Sequence, residues 1–164
     1  MSQGEVVTTE IERARRDWTA EHLRSYLESG GAQGHIVDLR VIGGHQFTTT
    51  LLLRTVGRKT GQARITPLIY GDIGGEVVIV ASKGGADVHP AWYFNIKDSD
   101  EVLFQVATQA FQGTWREPEG AERAEVWTFM EKVYPPYKDY QTATRRKIPL
   151  VMLTLREPVE VFRG

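Results

Sequence analysis

The stretch RTVGRKTGQAR, residues 54–64, connects two apolar segments and carries four basic side chains and no acidic one. The segments on either side, residues 47–55 and 63–70, are rich in Thr, Leu and Ile, so both are predicted to be strands. Gly57 and Gly61 flank the Arg-Lys-Thr at its centre. A glycine-flanked basic turn can present backbone N–H groups and cationic side chains to one anion. Phosphate and carboxylate are therefore the groups that this connection is expected to bind.

A plain hairpin turn with hydrated side chains is the alternative interpretation of these residues. Charge segregation favours a binding site, because no acidic residue occurs between Asp38 and Asp72 although the chain has 20 basic and 21 acidic residues. A second glycine-bearing loop, ASKGGA at residues 81–86, follows the next predicted strand and adds a cation and a hydroxyl. Neither loop has the P-loop pattern or the GxGxxG pattern of dinucleotide-binding folds. An anion site of another kind is predicted.

Composition limits the class of protein. The 164 residues fit one domain over residues 1–164, with 41% apolar and 25% charged residues as in ordinary globular proteins. The absence of cysteine excludes disulfides and thiolate chemistry. A net charge of -1 argues against nucleic-acid binding, and the four histidines lack metal-ligand spacing, so no metal is expected. The N-terminus resembles no signal peptide and no apolar run reaches the ~20 residues that cross a bilayer, which predicts a cytoplasmic protein.

Residue periodicity predicts a mainly β, α+β fold. A disordered tail is expected at residues 1–9 and an N-terminal helix at residues 10–28, which Gly30 and Gly31 end. Further predicted strands lie at residues 35–42, 76–82, 101–107, 109–116, 148–156 and 159–162. Further predicted helices lie at residues 89–97 and 118–134, and a proline-stiffened loop follows. Short strands joined by hairpins favour a small antiparallel barrel with helices outside, and the few helices between strands count against a doubly wound sheet.

Five sequence blocks, taken in order and spacing, resemble one family: the deazaflavin (F420)-dependent nitroreductases, also described as actinobacterial F420-dependent quinone reductases. The blocks are GRKTG at residues 57–61, TPL at 66–68, VASKGGA at 80–86, HPAWY at 89–93 and YPPY at 134–137. The resemblance implies a split β-barrel of the flavin-reductase type, which agrees with the barrel expected from the strand pattern. Residues 1–45 carry no matching motif.

The resemblance also implies a cofactor, the deazaflavin coenzyme F420, whose phosphodiester and polyglutamate tail is densely anionic. The basic turn would hold the phosphate and first carboxylates, the second glycine loop would form another wall, and Pro67 with Leu68 would lie along the ring system. The implied cofactor-binding residues are Arg54, Arg58, Lys59, Thr60, Gly61, Arg64, Pro67, Leu68, Ala81, Ser82, Lys83, Gly84 and Gly85.

The substrate side is implied to consist of four aromatic residues, Trp92, Tyr134, Tyr137 and Tyr140. Tyr137 is expected to be the catalytic hydrogen-bond donor closest to the reacting centre, with the other three as walls. The implied reaction is hydride transfer from the reduced deazaflavin to a small-molecule electron acceptor. Quinones are the expected acceptors, with unsaturated lactones or nitroaromatics as side substrates.

Several alternatives stay open from the residues alone. FMN could take the place of the deazaflavin, because both cofactors carry phosphate, or the barrel could bind a flavin-like or lipid ligand without turnover. Arg13, Arg15 and Arg16 of the first helix would allow peripheral contact with anionic lipid, against the simpler interpretation of a hydrated helix face. The sequence marks no oligomer interface.

Overall fold

Antiparallel strands form a closed barrel in the computed structural model, which describes the backbone of residues 3–163 and the side chains of residues 16–163. The strands are β1 (Ile36–Val37), β2 (Thr48–Val56), β3 (Ala63–Ile73), β4 (Glu76–Val80), β5 (Glu101–Val106), β6 (Gln109–Arg116) and β7 (Leu150–Val159). They are hydrogen-bonded in the order β1-β2-β3-β4-β7-β6-β5, and β2 also pairs with β5. That last pairing closes β2 to β7 into a six-stranded barrel and confirms the predicted antiparallel barrel.

Within residues 3–163 four α-helices pack against this barrel: α1 (Gln3–Glu28), α2 (Ala91–Lys97), α3 (Gly120–Val133) and α4 (Pro136–Thr142). The C-terminal end of α1 is fixed by Tyr26, whose hydroxyl donates to the Thr50 carbonyl at 3.0 Å and accepts the Ala107 N–H at 2.9 Å. Gly31 then passes so close to the β5–β6 turn that an added Cβ would lie 1.7 Å from the Ala107 oxygen. The helix is thereby docked on the barrel wall formed by β2 and β5.

The alternation of side chains along each strand sorts the core into layers. Val77 and Ile79 of β4 are buried in the barrel interior, whereas Val78 and Val80 pack with side chains of α3 and α4 on the other face. On β2, Leu52 joins Tyr26 in a third cluster beneath α1. The four apolar residues of β4, 77–80, are all buried, as the sequence predicts for a central strand with two apolar faces.

Four predicted elements differ in the structure. The first helix begins at Gln3 rather than Glu10, because residues 5–10 contain neither Gly nor Pro to stop it; residues 1–2 of the expected tail lie outside the described residues. The strand predicted at residues 35–42 is reduced to β1, since the Asp38 carboxylate accepts the Arg40 N–H at 3.1 Å and turns the chain into a short 3-10 helix. The separate strand at residues 159–162 is absent, because β7 itself continues to Val159.

The fourth difference concerns the loop that was expected to carry Tyr137 and Tyr140. It is the helix α4, with Pro136 at its first position. Proline there needs no N–H donor and has its φ already near the helical value, so the Pro-Pro pair that ends α3 also starts α4. The two tyrosines consequently project from a helix, at i and i+3.

No helix in the described part of the chain is both long enough and apolar enough to cross a membrane.

Candidate functional site

Residues 57–62, the basic loop, form the tight turn between β2 and β3. Gly57 N–H donates to the Gln62 carbonyl and Gly61 N–H to the Gly57 carbonyl, both at 2.8 Å. The Thr60 hydroxyl accepts the Gln62 N–H at 3.2 Å, so this predicted ligand group is already used within the turn as an acceptor. Gly61 has φ +71°, with open space where a Cβ would lie. The turn is thus a hairpin whose outer surface is free of obstruction.

The cations of this region are exposed and lack acidic partners. Arg54, Arg58, Lys59 and Arg64 are exposed, and none of them forms a salt bridge with a residue whose side chain is described. The Arg58 guanidinium lies over the Phe94 ring of α2 at 4.8 Å, a cation–π contact. Charges left unpaired in this way are available to an anionic ligand.

The register of the β2–β3 hairpin places these cations on two faces of the sheet. Arg64 is paired with the buried Thr55. Thr66 lies two residues further along the same face and is paired with Leu53, whose side chain is in the barrel interior. Arg54 is paired with Ile65 on the opposite face. The basic turn therefore does not direct all four cations to one point, and the same alternation puts Pro67 and Leu68 on opposite faces.

A cleft of about 560 Å³ lies beside the basic loop and contains both Arg54 and Arg58. Asp98 and Glu101, which are exposed, also line it, so its charge is mixed. The cleft thus combines two predicted cofactor ligands with two acidic residues that were not among the predicted site residues. Lys59, Arg64 and the second glycine loop lie outside its lining.

Residues 81–86, the Ser82 loop, are built from backbone held in unusual conformations. Ala81 is fully buried, and Lys83, Gly84 and Gly85 all have positive φ, at +46°, +63° and +85°. A Cβ on Gly85 would lie 3.0 Å from both the Cα and the carbonyl oxygen of Tyr140. The loop is therefore in close contact with α4, and only Gly fits at that contact.

Arg146, which sequence reasoning missed, fastens this loop. Its guanidinium donates to the carbonyls of Ser82 and Ala86, at 2.6 Å each, and of Ala81 at 3.1 Å. It also lies 2.9 Å from His89 Nδ1. Because Arg146 stands between Arg145 and Lys147, the sequence offers no signal that separates it from two hydrated neighbours.

Asn95 of α2 was also missed, and it fastens the basic loop. Its side-chain oxygen accepts the Arg58 N–H and its amide donates to the Thr55 hydroxyl, both at 3.3 Å. A buried Asn within an otherwise apolar helical segment was the available signal, since buried polar groups need partners. Together with the Arg58–Phe94 contact, Asn95 joins the basic loop to α2.

The three predicted tyrosines form one cluster. Ring centroids of Tyr134 and Tyr137 are 5.0 Å apart and each lies 6.2 Å from that of Tyr140, while the Tyr134 and Tyr140 hydroxyls are 3.3 Å apart. Tyr137 is 4% exposed, and burial raises its pKa far above the ordinary value, with smaller effects from Tyr134 and Tyr140. This phenol therefore stays protonated at every physiological pH.

The Tyr137 hydroxyl is not paired with another described residue. No described residue forms a hydrogen bond with this hydroxyl. In the described part of the chain every fully buried side-chain polar atom has a hydrogen-bond partner, so the Tyr137 oxygen is not fully buried. The small exposed fraction of Tyr137 consequently includes its oxygen. A protonated donor at the edge of an aromatic cluster can bind the oxygen of a flat ligand.

Trp92 lies elsewhere. It is 6% exposed and belongs to the barrel-interior cluster, whereas the tyrosines pack on the outer face of β4 and β7. The only described aromatic ring close to it is that of Tyr93, with centroids 6.3 Å apart. The structure therefore brings the Ser82 loop to the tyrosines and does not bring Trp92 to them.

Comparisons with known proteins show a matching family and similar sequences. Residues 18–155 match the family described as F420H(2)-dependent quinone reductase. An F420H(2)-dependent quinone reductase of Mycobacterium tuberculosis is 37% identical over 138 residues, covering 82% of this chain and 88% of the relative.

Two solved structures share the fold at similar identity. One, described as an F420-H2 dependent reductase, is 41% identical with a TM-score of 0.58 and covers 63% of this chain and 92% of its own. The other, described as a domain-swapped dimer, is 37% identical with a TM-score of 0.61 and covers 85% and 98%.

Proposed function

The chain belongs to the F420H2-dependent quinone reductase family and is an F420H2-dependent oxidoreductase, and we propose that its acceptors are flat quinones. Unsaturated lactones and nitroaromatics are proposed as slower acceptors of the same shape. The proposal is carried by two features: the cations on the basic loop, which have no acidic partner among the described residues, and a preformed glycine-bearing loop that contacts the tyrosine cluster.

The described residues fit coenzyme F420 by charge. Arg58, Lys59 and Arg64 carry exposed positive charges that no described acid neutralises, and the coenzyme's phosphodiester and glutamate tail carry several negative ones. Charge-assisted hydrogen bonds of this kind contribute about 1.5–3 kcal/mol each. Arg54, on the other face of the hairpin and beside two acids, is proposed to contribute only long-range attraction.

The Ser82 loop is proposed to approach the coenzyme with its backbone. A Cβ at Gly84 would meet nothing within 4 Å, so its open side leaves room for a ligand, while Gly85 is occupied by the contact with Tyr140. Lys83 adds an exposed cation. The loop would thus hold the ligand against the tyrosine cluster, and Leu68 from β3 would supply apolar contact.

When bound, the reduced coenzyme supplies the hydride. The chain's own contribution is to bind, to orient and to exclude water. Tyr137 is proposed to donate a hydrogen bond from its hydroxyl to the acceptor's oxygen. Its high pKa keeps the hydroxyl protonated, and no described residue accepts a hydrogen bond from it. Tyr134 and Tyr140 are proposed to form the walls of the acceptor site, and no acid, base or metal beyond these is required.

Peripheral membrane contact through α1 stays a prediction. Of the three arginines that suggested it, Arg13 and Arg15 lie outside the described side chains, and Arg16 is exposed. One similar solved structure is described as a domain-swapped dimer.

Two measurements test the proposal. Spectroscopic titration with F420 and, separately, with FMN should show binding of the deazaflavin and weaker binding of FMN. Oxidation of the reduced coenzyme should then follow addition of a quinone such as menadione. Binding without oxidation by any acceptor in a quinone, lactone and nitroaromatic panel would identify a carrier and contradict the enzymatic assignment.

The role of Tyr137 is tested by Tyr137→Phe, with Tyr140→Phe as the matched comparison. We expect the first variant to lose roughly 100-fold in kcat with an unchanged coenzyme Kd, because the hydrogen-bond donor to the charge that develops on the acceptor's oxygen is removed. The second should lose less than about tenfold, because its hydroxyl is already bonded to that of Tyr134. Full turnover in Tyr137→Phe would exclude the hydrogen-bond donor role.

A further inference from the structure

The backbone conformation of the Ser82 loop requires more than the loop's own hydrogen bonds. Three consecutive residues have positive φ, and one of them, Lys83, is not glycine. The loop's own backbone bonds are Gly85 N–H to the Ser82 carbonyl at 3.0 Å and Ala86 N–H to the Lys83 carbonyl at 3.2 Å, and Ser82 makes no side-chain cap. A non-glycine residue in this conformation costs about 1–2 kcal/mol. Some contact outside the loop must select this arrangement over others.

Arg146 provides that contact. Three carbonyls at the two ends of the loop, those of Ala81, Ser82 and Ala86, accept from one guanidinium. The backbone of Arg146 is itself fixed, since its carbonyl accepts the Gln141 amide at 2.7 Å and its N–H donates to the Thr144 hydroxyl at 3.3 Å. A guanidinium spreads five N–H donors over a rigid plane, whereas a lysine ammonium concentrates three at one point. Only arginine can therefore bridge both ends of the loop.

The fourth partner of Arg146 is His89 Nδ1, at 2.9 Å. Because a guanidinium only donates, the imidazole must be neutral and must carry its proton on Nε2. The His89 ring packs against Tyr93 and Phe94, and the charged groups that act on it are Arg146, Lys97 and Glu117, with Asp87 acting on Arg146. Burial, then Arg146 and Lys97, lower the pKa of His89 below its usual value, against the opposing effect of Glu117.

We propose that Arg146, completed by neutral His89, is the positioning residue that holds the Ser82 loop in its coenzyme-binding conformation. The inference rests on the proposed function in assigning the coenzyme to that loop. Arg146 donates to backbone oxygens of the loop and so acts through the loop's conformation rather than by touching the reacting atoms.

Arg146→Lys tests this role, with Arg145→Lys as the matched control because Arg145 is the exposed neighbour. In the free protein, we expect backbone amide exchange of residues 82–86 to rise about tenfold in Arg146→Lys, since hydrogen bonds that close the loop are lost. The Kd for F420 should rise by about tenfold or more for the same reason, with kcat changing less. Arg145→Lys should match the wild type in both. Unchanged exchange and affinity in Arg146→Lys would overturn the proposal.

His89 supplies the second test and a substitute should Arg146→Lys fail to fold. His89→Phe keeps an aromatic ring beside Tyr93 but removes the acceptor, and should also raise exchange in residues 82–86. His89→Asn keeps an acceptor that does not titrate. As pH falls through the lowered pKa of His89, the protection of residues 82–86 relative to the intrinsic exchange rate at each pH should decrease in the wild type, because His89 gains a proton, and His89→Asn should lack that decrease. Identical pH profiles for wild type and His89→Asn would overturn the part assigned to neutral His89.

The two hypotheses fail separately. If the wild type binds no F420, the proposed function is wrong, while amide exchange in the free protein still decides whether Arg146 holds the loop. If the wild type binds F420 and Arg146→Lys changes neither measurement, the positioning role alone is wrong.

Discussion

The basic loop and the Ser82 loop are both short, glycine-bearing and cationic, but they differ in how many contacts from the rest of the chain fix their backbones. The basic loop is a regular hairpin turn whose cations are exposed, with one side-chain bond from Asn95 to its backbone. The Ser82 loop has irregular backbone that Arg146 bonds at both ends and that α4 covers at Gly85.

This difference indicates a division of labour. Exposed cations without a described acidic partner suit a long anionic tail, because electrostatic attraction tolerates small differences in position. A backbone fixed by buried contacts suits the ring system, because hydride transfer requires close alignment of the reacting atoms. Substitutions in the basic loop should therefore affect affinity and leave the fold intact, whereas those in the Ser82 loop should affect both.

The largest expected effect is that of Arg58→Ala combined with Lys59→Ala. The Kd for F420 should rise about 100-fold or more, since two charge-assisted hydrogen bonds are removed, and the salt dependence of binding should decrease. The free energy of unfolding should fall by no more than about 1 kcal/mol, because neither side chain has a salt-bridge partner among the described residues and only the Arg58–Phe94 cation–π contact is lost. Titration at several salt concentrations and urea denaturation measure both.

The control for that variant is Lys147→Ala combined with Arg156→Ala, which removes the same two charges from exposed positions outside the site. It should leave coenzyme affinity near that of the wild type. Equal affinity in both double variants would show that the basic loop does not bind the tail.

The next effect in size is that of Gly85→Ala, compared with Gly84→Ala. Both positions have positive φ, but a Cβ at Gly84 meets nothing within 4 Å, whereas at Gly85 it meets the Tyr140 backbone at 3.0 Å. We expect the free energy of unfolding to fall by about 1 kcal/mol in Gly84→Ala and by about 2–3 kcal/mol in Gly85→Ala. Urea denaturation checks the difference, and equal losses would mean that α4 does not constrain the loop.

The smallest effect separates stability from binding at Lys83, which has φ +46°. Lys83→Gly should be more stable than Lys83→Ala by about 1 kcal/mol, because glycine adopts this conformation without strain. Both variants lose the ammonium group and should therefore lose coenzyme affinity equally. If either variant binds the coenzyme with wild-type affinity, the Lys83 side chain does not contribute to coenzyme binding.

Much of the barrel could be predicted because strand alternation and turn residues are local signals. The hairpin between β3 and β4, the buried β4 strand and the helices near residues 91–97 and 120–133 follow from them. The helix α4 was missed because Pro135 and Pro136 were interpreted only as a stop, although proline at a first helical position also starts a helix.

Less of the candidate site could be predicted. The family blocks identify the two loops and the tyrosines, but a one-residue step along a strand reverses the face of a side chain. Which of Arg54 and Arg64 shares a face with the barrel interior depends on the β2–β3 pairing. Trp92 was grouped with the tyrosines because it is aromatic and the family resemblance implied a shared role, and the fold buries it in another cluster.

The sequence by itself determined the barrel class, the family and the concentration of positive charge at one turn, because these depend on composition, periodicity and ordered local motifs. Only the tertiary structure decided which cations share a face, which aromatic rings meet and which residues fasten the loops. Arg146 is 60 positions after Ala86 in the chain, and its hydrogen bond to that carbonyl exists only because the fold brings the two together. Contacts between residues so distant in sequence leave no local pattern from which they could be predicted.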